Sequence, residues 1–154
     1  MDLILWRHAE AEDAAPGMTD LERALTGKGV KQARRMGLWL DSQLPDSCRI
    51  LASPAVRTLQ TVEALGRKFK LHNDLAPGAD PTDILKAVNW PGNKDSVLVV
   101  GHQPTLGMVA ALLLTGEDLD WDIRKASAWW FAQREPGDPG SVYLKAVMSA
   151  DLVK

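Results

Sequence analysis

Apolar and polar positions follow two rhythms along the chain, and the changes of rhythm mark out its elements. Leu3-Ile4-Leu5-Trp6 is an unbroken apolar run that stops at Arg7 and His8. A run this short, bounded by charge, predicts a strand covered on both faces, as in a parallel sheet. Arg49-Ile50-Leu51-Ala52 repeats the pattern and stops at Ser53-Pro54. Ser96-Val97-Leu98-Val99-Val100 repeats it again, β-branched like a central strand, and stops at Gly101-His102. Helical spacing separates these runs. Val30, Ala33, Met36, Gly37 and Leu40 lie between Thr26, a suitable cap, and Pro45, although Gly27 and Gly29 weaken the first turn. A second helix is predicted from Pro54 to about residue 69, with Ser53 as its N-cap, and a short one over 82–89. A fourth, over 105–115, is opened by Pro104 and is apolar all round at 108–114, which predicts thorough cover.

Residues 9–25 are small, acidic and punctuated by Pro16-Gly17, and read as a loop over the first strand's end. Residues 69–71 suggest a brief edge strand. Two β segments, about 126–133 and 141–148, flank Pro136-Gly137-Asp138-Pro139-Gly140, a turn signal that predicts an antiparallel edge hairpin. The pattern predicts an α/β three-layer sandwich. Its central sheet is mostly parallel, with helices on both faces and an antiparallel edge hairpin near the C-terminus. A length of 154 residues suits one domain, 1–154.

Composition narrows the function. The net charge of −2 lacks the basic footprint of a nucleic-acid or anionic-membrane protein, yet leaves room for an anionic ligand held by local positive charge. The single Cys48 forms no internal disulfide and offers no zinc cluster; it reads as an inert thiol. The apolar start is too short for a signal peptide or membrane span, so a soluble, cytoplasmic protein is expected. Six tryptophans read as core and interface bulk.

The candidate chemistry lies at the strand ends. In open α/β sheets the carboxyl ends of the strands border the functional crevice. Three such ends supply Arg7 with His8, then Arg57 in the first turn of the second helix, then His102. A guanidinium presents a fixed fork of donors that matches phosphate oxygens, and two forks hold a phosphoryl group without a metal. Imidazole attacks phosphorus when one nitrogen is unprotonated and the other donates to a fixed acceptor, such as a backbone carbonyl near the first loop. One histidine would attack and the other would donate to an equatorial oxygen. Arg57 also sits where cations oppose the helix dipole, which favours an anion opposite it. His72 has no such neighbours and reads as structural; Arg34-Arg35 reads as an exposed helix face.

These residues resemble a family. Leu3-Ile4-Leu5-Trp6-Arg7-His8-Ala9 is similar to the Arg-His-Gly signature of the histidine phosphatase (phosphoglycerate-mutase-like) superfamily. Leu25-Thr26-x-x-Gly29-x-x-Gln32-Ala33, Ser53-Pro54-x-x-Arg57-Thr58-x-Gln60-Thr61 and Val99-Val100-Gly101-His102-Gln103-Pro104 resemble its later blocks, in order. The compact length and the Arg-His-Ala-Glu-Ala opening most resemble the SixA-type phosphohistidine phosphatases. The resemblance implies that His8 is the phosphorylated nucleophile, that Arg7 and Arg57 grip the phosphoryl oxygens, and that His102 completes the pocket. It also implies that no cofactor or metal is used. Ala9 departs from the glycine common in the superfamily, placing a methyl group near the ligand's path. The superfamily's glutamate proton donor has no counterpart; Asp80 is the first candidate here, with Asp83 and Glu10 behind it. The substrate implied is a phosphorylated protein histidine, on a phosphocarrier or phosphotransfer domain of bacterial signalling. The alternatives are a phosphatase of small phosphate esters and a phosphate-binding domain without turnover.

Overall fold

A computed structural model describes residues 1–154. Six strands form one sheet in the order β3-β2-β4-β1-β5-β6. They are β1 (Leu3–Arg7), β2 (Arg49–Ala52), β3 (Lys70–Leu71), β4 (Val97–Gly101), β5 (Ala128–Gln133) and β6 (Val142–Met148). The first four pair in parallel, while β5 and β6 run antiparallel at one side. Four α-helices complete the fold: α1 (Gly27–Gln43), α2 (Val56–Glu63), α3 (Pro81–Ala87) and α4 (Thr105–Thr115). None is long and apolar enough to cross a membrane.

The unbroken apolar strands are explained by two cores, one on each face. Ile4 and Trp6 of β1 join Leu98 and Val100 of β4 in a core with Ala33, Met36 and Leu40 of α1 and Val62 of α2. Leu3, Leu5, Val97 and Val99 point the other way, against Ile84 of α3 and Leu106, Val109 and Ala110 of α4. Alternation with period two buries every apolar residue of β1 and β4 because both faces are covered. Trp6 is fully buried, and its indole N–H donates to the Ala126 carbonyl at 2.8 Å.

Register then aligns three strand ends. Arg7 lies beside Gly101, and Trp6 and Ala52 both lie beside Val100. The backbone N–H groups of His8 and Ser53 donate to Gly101 and Val100 at 3.1 Å each, so the chain leaves β1 and β2 still tied to β4. His8, Ser53 and His102 therefore stand at one level along the crevice.

Several local expectations change. Helix α2 ends at Glu63 rather than near residue 69, because Gly66 adopts a left-handed φ of 74° that stops the helix. Ser53 is not the α2 cap: the N-cap position is Ala55, and Pro54 precedes the helix. Val30 is 43% exposed, and its place on the buried stripe of α1 is taken by Gly29. The Gly29 that weakens the first turn is required by packing, since a Cβ there would collide with the Glu10 carbonyl. Thr26 does cap α1, its hydroxyl accepting from Gly29 N–H at 2.9 Å. Helix α4 is only partly covered, with Leu114 exposed near its C-terminal end. The loop over residues 9–25 is pinned by a single antiparallel bridge, Ala11 to Leu25, and contains one 3-10 turn, Asp20–Glu22.

Candidate active site

The four side chains singled out at the strand ends lie together. The His8 and His102 rings are 5.3 Å apart between centroids and tilted at 53°. Both rings and the Arg57 side chain are buried, while Arg7 is half-buried. Burial is the main reason that both imidazoles lose basicity: His8 is lowered to about 4 and His102 to about 3, with Arg57 and Arg7 adding electrostatic opposition to each.

Each ring is held in one tautomer. His8 Nδ1 lies 2.7 Å from the carbonyl oxygen of Ala9. A carbonyl only accepts, so Nδ1 carries the proton and Nε2 presents a lone pair. This is the backbone acceptor expected near the first loop. Ala9 itself is fully buried in the α1–α2 core, and its N–H donates to Thr61 Oγ1 at 3.1 Å. The methyl group that replaces the superfamily's glycine hydrogen is thus absorbed by packing.

His102 Nε2 lies 2.7 Å from Ser53 Oγ, which also accepts from Ala55 N–H at 3.2 Å. Ser53 is completely buried and its hydroxyl has no other acceptor, so it donates to Nε2. Neutral His102 then bears its proton on Nδ1. Ser53 was expected to cap a helix; it orients an imidazole instead.

The arginines are anchored by their outer nitrogens. Arg7 Nη1 donates to the Ile123 carbonyl at 3.0 Å. Arg57 Nη1 and Nη2 donate to the Asp20 carbonyl at 2.7 Å and to Asp20 Oδ2 at 2.9 Å. Four buried side-chain polar atoms have no partner, and three of them belong to this cluster: Arg7 Nε, Arg57 Nε and His102 Nδ1. An unpaired buried donor costs roughly 1–3 kcal/mol. Three around one histidine describe a place suited to an acceptor-rich anion.

Asp20 is the residue that sequence reasoning missed. Its carboxylate sits between Arg57 and Arg23, 3.0 Å from Arg23 Nη1, and hydrogen bonds from both hold it below the usual carboxylate range. The Thr19-x-x-Glu22 capping box marked a turn there, but nothing local signalled a partner 37 residues away. The named acids stand otherwise. Asp80 caps α3, accepting from Thr82 N–H at 2.8 Å and Thr82 Oγ1 at 2.7 Å, and these bonds keep it ionised. Asp83 lies exposed in the first turn of α3. Glu10 Oε2 accepts from Thr26 Oγ1 at 2.8 Å. None of the three is hydrogen-bonded to either site histidine. His72 accepts from Asp74 N–H at 3.2 Å, a local structural role, and burial raises the Cys48 thiol to about 11.

The depressed imidazoles make stability depend on pH. In the unfolded chain these histidines take up protons near 6.5, whereas the fold refuses them until about 4 and about 3. Stability is therefore complete above pH 6.5 and falls as pH is lowered through that window, by about 3 kcal/mol for His8 alone once it is traversed. Urea melts at pH 7 and about pH 5, where carboxylates remain largely ionised, are expected to show the decline. Equal midpoints would contradict burial of neutral rings.

Comparison with known proteins identifies the family and supports the fold. The Histidine phosphatase superfamily (branch 1) matches residues 3–80. The phosphohistidine phosphatase SixA of Escherichia coli is 33% identical over 126 residues, 76% of each chain. A structure of the protein histidine phosphatase SixA complexed with tungstate superposes with a TM-score of 0.81 at 28% identity, covering 98% of both chains. A mycobacterial glucosyl-3-phosphoglycerate phosphatase shares the fold, with a TM-score of 0.68 at 18% identity over 94% of this chain and 97% of its own. With paired arginines and histidines at aligned strand ends, the chain belongs to the histidine phosphatase superfamily as a SixA-type phosphatase.

Proposed function

We propose that the chain is a metal-independent phosphohistidine phosphatase, acting on a protein histidine through a phosphohistidine of its own. The observation that carries this reading is the protonation of the site. A neutral His8 faces two guanidinium groups, while the carboxylate at the site, Asp20, is held ionised by Arg57 and Arg23. Such a site has a nucleophile and charge stabilisation but no strong acid. An alkoxide leaving group needs protonation; a protonated imidazole departs from phosphorus at neutral pH unaided. The name of the E. coli relative and the tetrahedral oxyanion in the related complex point the same way.

In the first half-reaction, His8 Nε2 forms a bond to phosphorus as the N–P bond of the substrate breaks. The departing imidazole leaves neutral, having been protonated on its other ring nitrogen. Arg7, Arg57 and the Nδ1–H of His102 take the charge that shifts to the equatorial oxygens, while the Ala9 carbonyl steadies the growing charge on the His8 ring. In the second half, the oxygen of a water bonds to phosphorus as the Nε2–P bond breaks; both water protons leave with inorganic phosphate as H2PO4⁻, and His8 returns to its neutral form with the proton still on Nδ1. Arg7 and Arg57 supply the positive charge that a metal supplies elsewhere, so EDTA is expected to leave turnover unchanged. Loss of activity restored by Mg²⁺ would contradict this.

Ser53 is a positioning residue. Ser53→Ala is expected to lower kcat roughly tenfold, the scale of losing one hydrogen bond of about 1.4 kcal/mol, with little change in KM. Ser53→Thr, which keeps the hydroxyl, should restore much of the loss; equal impairment by both would mark the serine as packing only.

The substrates we favour are phosphocarrier or phosphotransfer domains of signalling systems, in the cytoplasm. Steady hydrolysis of a phosphohistidine protein, with little action on phosphoglycerate or p-nitrophenyl phosphate, is the expected result. Broad small-ester hydrolysis would replace this reading with the small-ester phosphatase, and no hydrolysis at all with a phosphate-binding domain.

A further inference from the structure

Beside the site lies a groove of about 840 Å³ whose lining includes Arg7. One wall is α1, which presents Lys28, Lys31 and Arg35. These positions, three and four residues apart, share a helical face and span about 10 Å at 1.5 Å per residue. The facing wall presents Arg124 and Lys125, just beyond the Ile123 carbonyl that anchors Arg7. With Arg7, six cations face three carboxylates here, in a chain whose net charge is −2. Arg35, which read from sequence as an unassigned exposed face, lines the same groove as the site's own arginine.

Three features distinguish this groove from an ordinary solvated surface. None of Lys28, Lys31, Arg35, Arg124 and Lys125 is ion-paired, and all five are exposed. Helix α1 has no acidic residue in its first turn, where Lys28 instead opposes the dipole. The cations come from segments nearly a hundred residues apart and converge only in the fold.

We infer that this groove docks an acidic protein surface, the carboxylate-rich flank of the substrate's phosphorylated histidine. The inference rests on the phosphohistidine reading and adds what selects the partner. A second phosphate of a small molecule would be met by converging, buried donors; these side chains are long, exposed and spread over two walls. That arrangement suits a diffuse set of carboxylates, which it would attract by long-range steering as much as by contact.

The test uses the full chain and two fluorescein-labelled phosphohistidine peptides, one flanked by Asp and Glu and the other by Ser and Gln. The acidic peptide without phosphate, and inorganic pyrophosphate, serve as binding probes. At low ionic strength kcat/KM is expected to favour the acidic phosphopeptide by about tenfold, and about 0.5 M salt should remove most of that preference. K31E/R35E should abolish the preference, weaken binding of the unphosphorylated acidic peptide to a similar degree, and leave turnover of the neutral phosphopeptide unchanged. Lys125→Glu repeats the test from the other wall should the double variant fold poorly. Acidic-peptide binding that is equal in the wild type and both variants would overturn the inference. So would charge reversals that weaken only pyrophosphate binding, which would make the groove a small-anion subsite. Should the binding results hold while neither phosphopeptide is hydrolysed, the groove stands and the phosphohistidine reading fails.

Discussion

His8→Ala is expected to abolish turnover, by on the order of 10⁴-fold or more, and to remove all covalent labelling, while the fold survives. The size of the effect follows from how the ring is prepared. Nδ1–H is committed to the Ala9 carbonyl at 2.7 Å, so Nε2 alone can attack. With its basicity lowered to about 4, the ring needs no deprotonation at neutral pH. Neither Asp20, held ionised between two arginines, nor His102, turned toward Ser53, is placed to replace it as a nucleophile. Survival of the fold follows from the same burial. The substitution removes a ring that the interior keeps neutral at a cost, so the variant should resist acid unfolding better than its parent between pH 6.5 and about 4. Circular dichroism melts beside the assay check both halves. Parent-rate hydrolysis by the variant would remove His8 from the mechanism.

Loss of either arginine comes second in expected size. A donor aimed at developing phosphoryl charge contributes roughly 2.7–4 kcal/mol to the barrier, so Arg7→Ala and Arg57→Ala should each lower kcat by about 10²–10³-fold. The two variants should differ in stability. Arg57 donates to both the carbonyl and the carboxylate of Asp20 and so ties the 9–25 loop to α2. Its removal leaves a site carboxylate with Arg23 alone and should loosen that loop, visible as faster amide exchange around residue 20. Arg7 is held by one backbone carbonyl, and its loss should be felt chiefly in catalysis. Arg57→Lys should not rescue, because an ammonium cannot satisfy Asp20 twice and still face the phosphoryl group. An Arg57→Lys enzyme within a few-fold of the parent would show that charge alone, not the fork, is what matters.

What the sequence disclosed, and what it withheld, follows from the range of the forces involved. The β1, β2 and β4 runs were legible because strands buried on both faces must be apolar throughout, and their stops marked the crevice. That placed Arg7, His8, Arg57 and His102 without any knowledge of register. The end of α2 is not legible from periodicity, because apolar spacing continues to Leu65 while the left-handed Gly66 stops the helix. Ser53 carried the ordinary signal of a helix cap, and only the alignment of β2 with β4 turns it toward His102. Asp20 sat unmarked in an acidic loop because its meaning lies in a contact with Arg57. Arg35 is exposed, as its place on the helix indicated, but the groove it lines was not legible, because residues 122–127 and 149–151 complete that groove and no local pattern encodes their approach to α1.

The central claim is that His8 Nε2 carries the phosphoryl group between substrate and water. Rapid quenching of the enzyme during turnover of a ³²P-labelled phosphohistidine protein tests it most directly. The quench is into alkaline detergent, since the N–P bond is labile in acid, and the labelled peptide is then mapped. The account predicts label on His8 at Nε2, distinguished from Nδ1 by ³¹P chemical shift, appearing at the rate of substrate loss and absent from His8→Ala. Label on His102 or on another residue, or full turnover with no label trapped at any time, would contradict it.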